Sequence, residues 1–132
     1  GRMENLRLAC QTVHGAVIPA GGSFSFNEAL GERTEEKGYR PAIAFENGEK
    51  VMEVGGGVCQ VSTTLFLAAQ QGGMEILERH PHQLPVPYAG EGQDAAVEYG
   101  SLDFRFQNPT ASPVEIGCWL TGDSVTVSLT VQ

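Results

Sequence analysis

Three consecutive glycines, Gly55-Gly56-Gly57, run directly into residues 58–71, whose composition suits a helix, and Gly72-Gly73 closes that stretch. A glycine triplet costs backbone entropy, so it belongs where the chain needs dihedrals other residues avoid, or where a second group must approach the backbone closely. The expectation is a glycine-rich loop feeding a helix, and the rest of the pattern has to be built around it. Residues 2–14 place Leu6, Ala9, Cys10 and Val13 on one helical stripe, with Gly15 at the position where helices favour glycine. Residues 16–18 read as a short strand. In 23–27 apolar and polar residues alternate, which puts Phe24 and Phe26 on one buried face. The stretch 27–38 offers at most one helical turn, and 39–45 and 50–54 flank Asn47-Gly48, a strong hairpin signal.

The remaining third is β in character, with strands expected at 74–78, 84–88, 95–99, 102–106, 113–120 and 124–131 and turns between them. The predicted fold is therefore α+β: two main helices packed on a mostly antiparallel sheet supplied mainly by the C-terminal half. At 132 residues the chain is long enough for one domain, 1–132, and too short for two ordinary ones. A net charge of −8 without any Lys/Arg cluster repels a polyanion, which argues against nucleic acid as a partner. No apolar run approaches the ~20 residues that span a bilayer. The chain begins without a secretory leader, so a leader has been removed or the sequence is a piece of a longer protein. Its three cysteines lack the spacing of a disulfide framework, which leaves at least one free thiol.

The chemistry concentrates around Cys59. At a helix start, unpaired N–H groups and the helix dipole favour a thiolate, so a lowered pKa is expected there. His80 and His82, separated by Pro81, are close enough in sequence to enter one site, and a nucleophilic thiol gains from a base that is itself oriented by a carboxylate. Asp94 and Asp103 are the candidates. If Gly90-Glu91-Gly92 closes a hairpin, His82 lies opposite Tyr99 and Gly100, which favours Asp103. The competing structural readings are a tight glycine turn, a small buried Cys59 and aspartates that merely cap turns. Zinc is the rival use of Cys59, His80, His82 and a carboxylate, but the spacing lacks a Cys-X-X-Cys pair, and no cofactor is expected. Cys10 and Cys118 sit in apolar stretches as small hydrophobes.

These residues carry a resemblance. Gly22-Ser23-Phe24-Ser25-Phe26-Asn27, the run from Gly55-Gly56-Gly57-Val58-Cys59-Gln60 through Val61-Ser62-Thr63-Thr64-Leu65, Glu78-Arg79-His80-Pro81-His82 and Gly92-Gln93-Asp94-Ala95-Ala96-Val97 resemble the VanW domain family over nearly the whole chain. Ala96 stands where the family often has Thr, and Gln83 where Ser often follows the histidine. The family takes its name from vancomycin-resistance gene clusters and occurs in cell-envelope proteins of Gram-positive bacteria. Some members are described as peptidoglycan L,D-transpeptidases with a cysteine nucleophile. The resemblance implies an extracytoplasmic domain whose partners are peptidoglycan stem peptides. Cys59 would be the nucleophile, His82 base and then acid, and Asp103 or Asp94 the orienting group. Gly57 and Gln60 would contribute to an oxyanion site, and His80 and Asp94 to substrate binding. Two other readings stand beside it: a non-catalytic cell-wall-binding module and a zinc-dependent hydrolase.

Overall fold

A computed structural model describes residues 1–46 and 48–132; Asn47, half of the expected hairpin signal, lies outside the described residues, as does the side chain of Glu46. The chain forms α1 (Arg2–Val13), β1 (Val17–Ile18), β2 (Ser23–Ser25), α2 (Phe26–Leu30), a 3-10 turn at Glu35–Lys37, and β3 (Pro41–Glu46) with β4 (Glu49–Val54). There follow α3 (Cys59–Gln71), β5 (Glu75–Glu78), β6 (Arg105–Gln107), β7 (Val114–Thr121) and β8 (Ser124–Val131). The α+β expectation holds, with two long helices and a short third one on antiparallel sheets.

Three sheets make up the β part. One has the order β1-β7-β8, one has β2-β6-β5, and β3-β4 stands as a two-stranded hairpin. The alternation of Val125, Val127 and Leu129 along β8 lays their side chains against the core, next to α3. In α1 the stripe Leu6, Ala9, Cys10 and Val13 is buried and packs on β7. Val61, Leu65, Phe66 and Ala69 do the same from α3, and Phe66, Phe104 and Phe106 form a chain of rings 5.8 Å apart that joins α3 to β6. Each Val, Leu or Phe among them contributes roughly 1.5–3 kcal/mol on burial. Phe24 and Phe26 are both buried, although Phe26 already belongs to α2, which Ser25 caps by accepting the Glu28 N–H at 3.1 Å.

The expected strands 84–88 and 95–99 do not form. Between β5 and β6 the only strand-like feature among the described residues is a bridge between Glu98 and Leu102. Pro81, Pro85 and Pro87 remove the N–H groups a ladder would need. The alternation in 95–99 is real but serves another purpose, because Ala95 is buried against α3 and its backbone bonds go to side chains of that helix.

The glycine triplet is explained by space and dihedrals together. Gly55 and Gly57 have φ of +88° and +100°, and a Cβ on Gly56 would run into the carbonyl of Ala42 on β3. Buried Asn5 ties the loop to α1: its Nδ2 donates to the Gly56 carbonyl at 2.9 Å and the Arg40 carbonyl at 2.8 Å, while its Oδ1 accepts the Arg40 N–H.

Candidate active site

Cys59 is the first residue of α3, and the loop beneath it is fixed by the contacts just described. Its sulfur accepts the Val97 N–H at 3.5 Å and donates to the Val97 carbonyl at 3.6 Å. Ser62 and Thr63, three and four residues on, share that face of the helix. Ser62 Oγ donates to the Ala95 carbonyl at 2.8 Å, and Thr63 Oγ1 accepts the Ala95 N–H at 2.9 Å. Cys-X-X-Ser-Thr is thus a docking strip that holds residues 94–97 along the helix.

The docked segment delivers Asp94 to His82. The backbone N–H and the ring Nδ1 of His82 both meet Asp94 Oδ2 at 2.6 Å, with the two side chains 3% and 9% exposed. An ionised carboxylate only accepts, so Nδ1 carries a proton, which leaves Nε2 as the position where the ring can take up or release one. Burial pushes the Asp94 carboxyl up, but the His82 N–H, ring and charge outweigh it and hold the group below the usual aspartate range. Arg79 braces the other side, donating from Nε to the Asp94 carbonyl at 2.7 Å while its guanidinium lies 4.9 Å from the centre of the Phe66 ring. Phe45 and Tyr88 meet the His82 ring edge-on, and the Tyr88 hydroxyl stands 3.4 Å from Nε2.

Cys59 and His82 line the same cavity, roofed by Phe45 of the β3-β4 hairpin. Among the described residues no hydrogen bond joins them; the thiol is turned to Val97.

Three expectations are corrected by this geometry. Asp94, not Asp103, is the carboxylate on His82, because the chain reverses about Tyr88, ahead of the Gly90–Gly92 turn, pairing His82 with Asp94 and the His80 carbonyl with the Ala96 N–H at 2.7 Å. Asp103 instead accepts from Ser25 Oγ at 2.5 Å and from the N–H groups of Asn27 and Phe104, which fixes the start of α2. The thiol pKa is raised, not lowered. Burial is the largest cause, and the Val97 N–H and the Arg33 charge pull it down without overcoming that cost. Gln60 turns away from the thiol: its Nε2 donates to the Asp123 carbonyl at 3.1 Å, its Oε1 accepts from Arg2, and its N–H goes to the Gly57 carbonyl. The N–H groups of Gly57 and Cys59, by contrast, have no backbone carbonyl partner among the described residues.

His80 lines the outer part of the cavity, but its Nε2 is held at 2.8 Å by Glu78 Oε2. The two imidazoles therefore take separate carboxylates, and among the described residues no group of three or more His, Cys, Asp or Glu is placed to hold a metal ion. Cys10 and Cys118 are buried free thiols in the α1–β7 contact.

Three residues around the thiol escaped the sequence reading. Tyr88 faces His82; burial, with the charges of Cys59 and Asp94, pushes its hydroxyl well above the phenol range. Arg33 is held under the loop by bonds to Asn27 Oδ1 at 2.7 Å and the Gly31 carbonyl at 2.9 Å. Arg2 lies over Gly57.

An α+β domain with a thiol at a helix start and an imidazole–carboxylate pair in the same cavity is the class of protein that fold and site define. The chain belongs to the family described as VanW like protein, which it matches over residues 1–130. It is 41% identical over 128 residues to the uncharacterized protein YoaR of Bacillus subtilis, covering 97% of this chain and 42% of that protein. It is 32% identical over 127 residues to the vancomycin B-type resistance protein VanW of Enterococcus faecalis, covering 92% of this chain and 46% of that protein. The chain thus spans less than half the length of these relatives. No solved structure matches it at a significant level. No helix among the described residues is long and apolar enough to cross a membrane.

Proposed function

We propose that this domain, one unit over 1–132, is a cysteine acyltransferase of the cell envelope that acts on peptidoglycan stem peptides in the manner of an L,D-transpeptidase. The observation that carries the reading is the His82–Asp94 pair, bonded at 2.6 Å through Nδ1, on the cavity that also holds Cys59. Because the thiol rests protonated, activation falls to the base at the moment of attack. The donor turns the S–H from the Val97 carbonyl to His82 Nε2; the proton passes to the ring as sulfur bonds to the stem carbonyl. The scissile C–N bond then breaks, the terminal D-amino acid leaves as an amine carrying that proton, and a thioester remains on Cys59. An acceptor amine reverses the sequence: it attacks the thioester, gives its proton to His82, and restores the thiol as the new amide forms. The free N–H groups of Gly57 and Cys59 are the donors for the oxyanion. Asp94 keeps the ring in the required tautomer and offsets the imidazolium charge.

One observation favours a second reading, binding without chemistry. The sulfur bonds Val97 on both sides and so also works as a structural pin for 94–97. The experiment that separates the two is intact-mass analysis after incubation with a tetrapeptide stem. Acyl transfer predicts an adduct on Cys59 equal to the stem less its terminal residue, absent in Cys59→Ala and His82→Ala. A binding module predicts no adduct and stem affinity that Cys59→Ala retains.

A further inference from the structure

Cys10 and Cys118 are separated by most of the chain and meet in the core. Cys10 lies on the buried stripe of α1 and Cys118 on the inward face of β7, and they are 3% and 4% exposed. Backbone bonds fix the two elements against each other: the Gly15 N–H donates to the Ile116 carbonyl at 2.7 Å, and the Ile116 N–H to the Ala16 carbonyl at 2.8 Å. His14 then holds both cysteines. Its N–H donates to the Cys10 carbonyl at 2.9 Å, and its ring Nδ1 accepts the Cys118 N–H at 3.0 Å. Within that frame the two thiols come into hydrogen-bonding reach of each other. Cys59 is kept apart, its sulfur held on the Val97 backbone. A free cysteine in a core packs as a small hydrophobe, and packing alone does not require that a helix and a strand each bring a thiol to the same point.

We propose that Cys10 and Cys118 are a disulfide-forming pair that staples α1 to β7 and leaves Cys59 as the one free thiol of the chain. Bond formation takes an external disulfide as oxidant. The thiolate of one cysteine attacks it and releases one thiol; the second cysteine, as thiolate, then displaces the other half from the mixed disulfide. The two protein thiols are oxidised, the external disulfide is reduced to two thiols, and the two protons end on those leaving groups. Because both sulfurs are buried, the exchange takes place while the α1–β7 contact is open, during folding or local unfolding. Acyl transfer is not required for this pairing; only the oxidising setting in which the bond persists comes from the envelope placement proposed above. The bond encloses α3 and residues 79–104 in a loop of roughly 100 residues, a length at which a cross-link strongly restricts the unfolded chain.

The test is to refold the reduced chain in a mixture of oxidised and reduced glutathione, block the remaining thiols with N-ethylmaleimide in denaturant, and map the peptides by mass spectrometry. The peptides of Cys10 and Cys118 should be joined, with the loss of two hydrogens, and Cys59 should carry maleimide or glutathione. In a parallel reaction kept in denaturant, the 10–118 pairing closes the longest of the three possible loops and should be the least frequent. A refolded product in which Cys10 and Cys118 remain unlinked, are joined to Cys59, or are distributed as in denaturant would overturn the pairing. Thermal melts supply the second readout. The linked protein should melt on the order of 10 °C above the reduced one, and dithiothreitol should remove the difference. Cys118→Ala should abolish this redox dependence and Cys59→Ala should retain it. A linked protein that melts no higher than the reduced one would show that the bond forms only by distorting the α1–β7 contact, and would overturn the staple.

Discussion

The β7–β8 hairpin and the stretch 79–104 are built on opposite principles. In the hairpin every step from Val114↔Val131 to Thr121↔Ser124 is a regular antiparallel pair, so the backbone satisfies itself and the side chains alternate. In 79–104 the backbone is satisfied by side chains from far away: Cys59, Ser62 and Thr63 of α3 hold Ala95 and Val97, and Asp94 holds His82. The first arrangement is local and tolerant. The second depends on a few groups, and these are the groups that assemble the candidate site.

That contrast breaks most visibly at His82. Removing its buried ring leaves the Asp94 carboxylate with the residue-82 backbone N–H and Arg79, and His82→Ala should cost about 1–3 kcal/mol at pH 7, the range for removing one partner of a buried hydrogen bond. The folded carboxyl is lowered relative to an unfolded value of about 3.9, so the pair's stabilisation is fully present above that value and is lost as pH falls through the depressed one. Denaturant curves of the native protein and the variant should converge in acid; a gap that stays constant from pH 7 to pH 3 would show that Asp94 is not the partner.

Loosening the docking strip comes next. Ser62→Ala leaves the Ala95 carbonyl with the longer Thr63 bond at 3.3 Å, and a loss of about 1–2 kcal/mol is expected, accompanied by faster amide exchange at Val97. Unchanged exchange would mean that the segment is held by something other than α3. Asp103→Asn should cost about 1 kcal/mol through the start of α2 and leave His82 chemical shifts in place. On the hairpin, Thr126→Val at an exposed position should change stability by less than about 0.5 kcal/mol, and a larger effect would deny that this region is tolerant.

The same contrast marks what the sequence disclosed. Helices α1 and α3, the glycine loop and the β7–β8 alternation follow from periods and turn residues within a dozen positions, so they were legible. The partner of His82 was not. Choosing Asp94 over Asp103 requires knowing that the chain reverses about Tyr88, and the glycines at 90 and 92 point to a later turn. The thiol's ionisation was misread for a related reason: the helix start is local, but the burial that raises the pKa is a product of the tertiary fold and outweighs the opposing Val97 N–H, 38 residues on. Cys59 and His82 are singled out by residue type and motif, and the fold brings both to one cavity.

The central claim is that Asp94 orients His82 to serve Cys59. The rate of thioester formation on Cys59 from a tetrapeptide stem, compared among the native protein, Asp94→Asn and Asp103→Asn, tests it most directly. The account predicts that Asp94→Asn slows this step by on the order of 10³–10⁴, as losing the orienting carboxylate of such a triad does, while Asp103→Asn stays within about threefold, the change a shift of under 1 kcal/mol produces. Equal rates in the native protein and Asp94→Asn, or a collapse confined to Asp103→Asn, would contradict it.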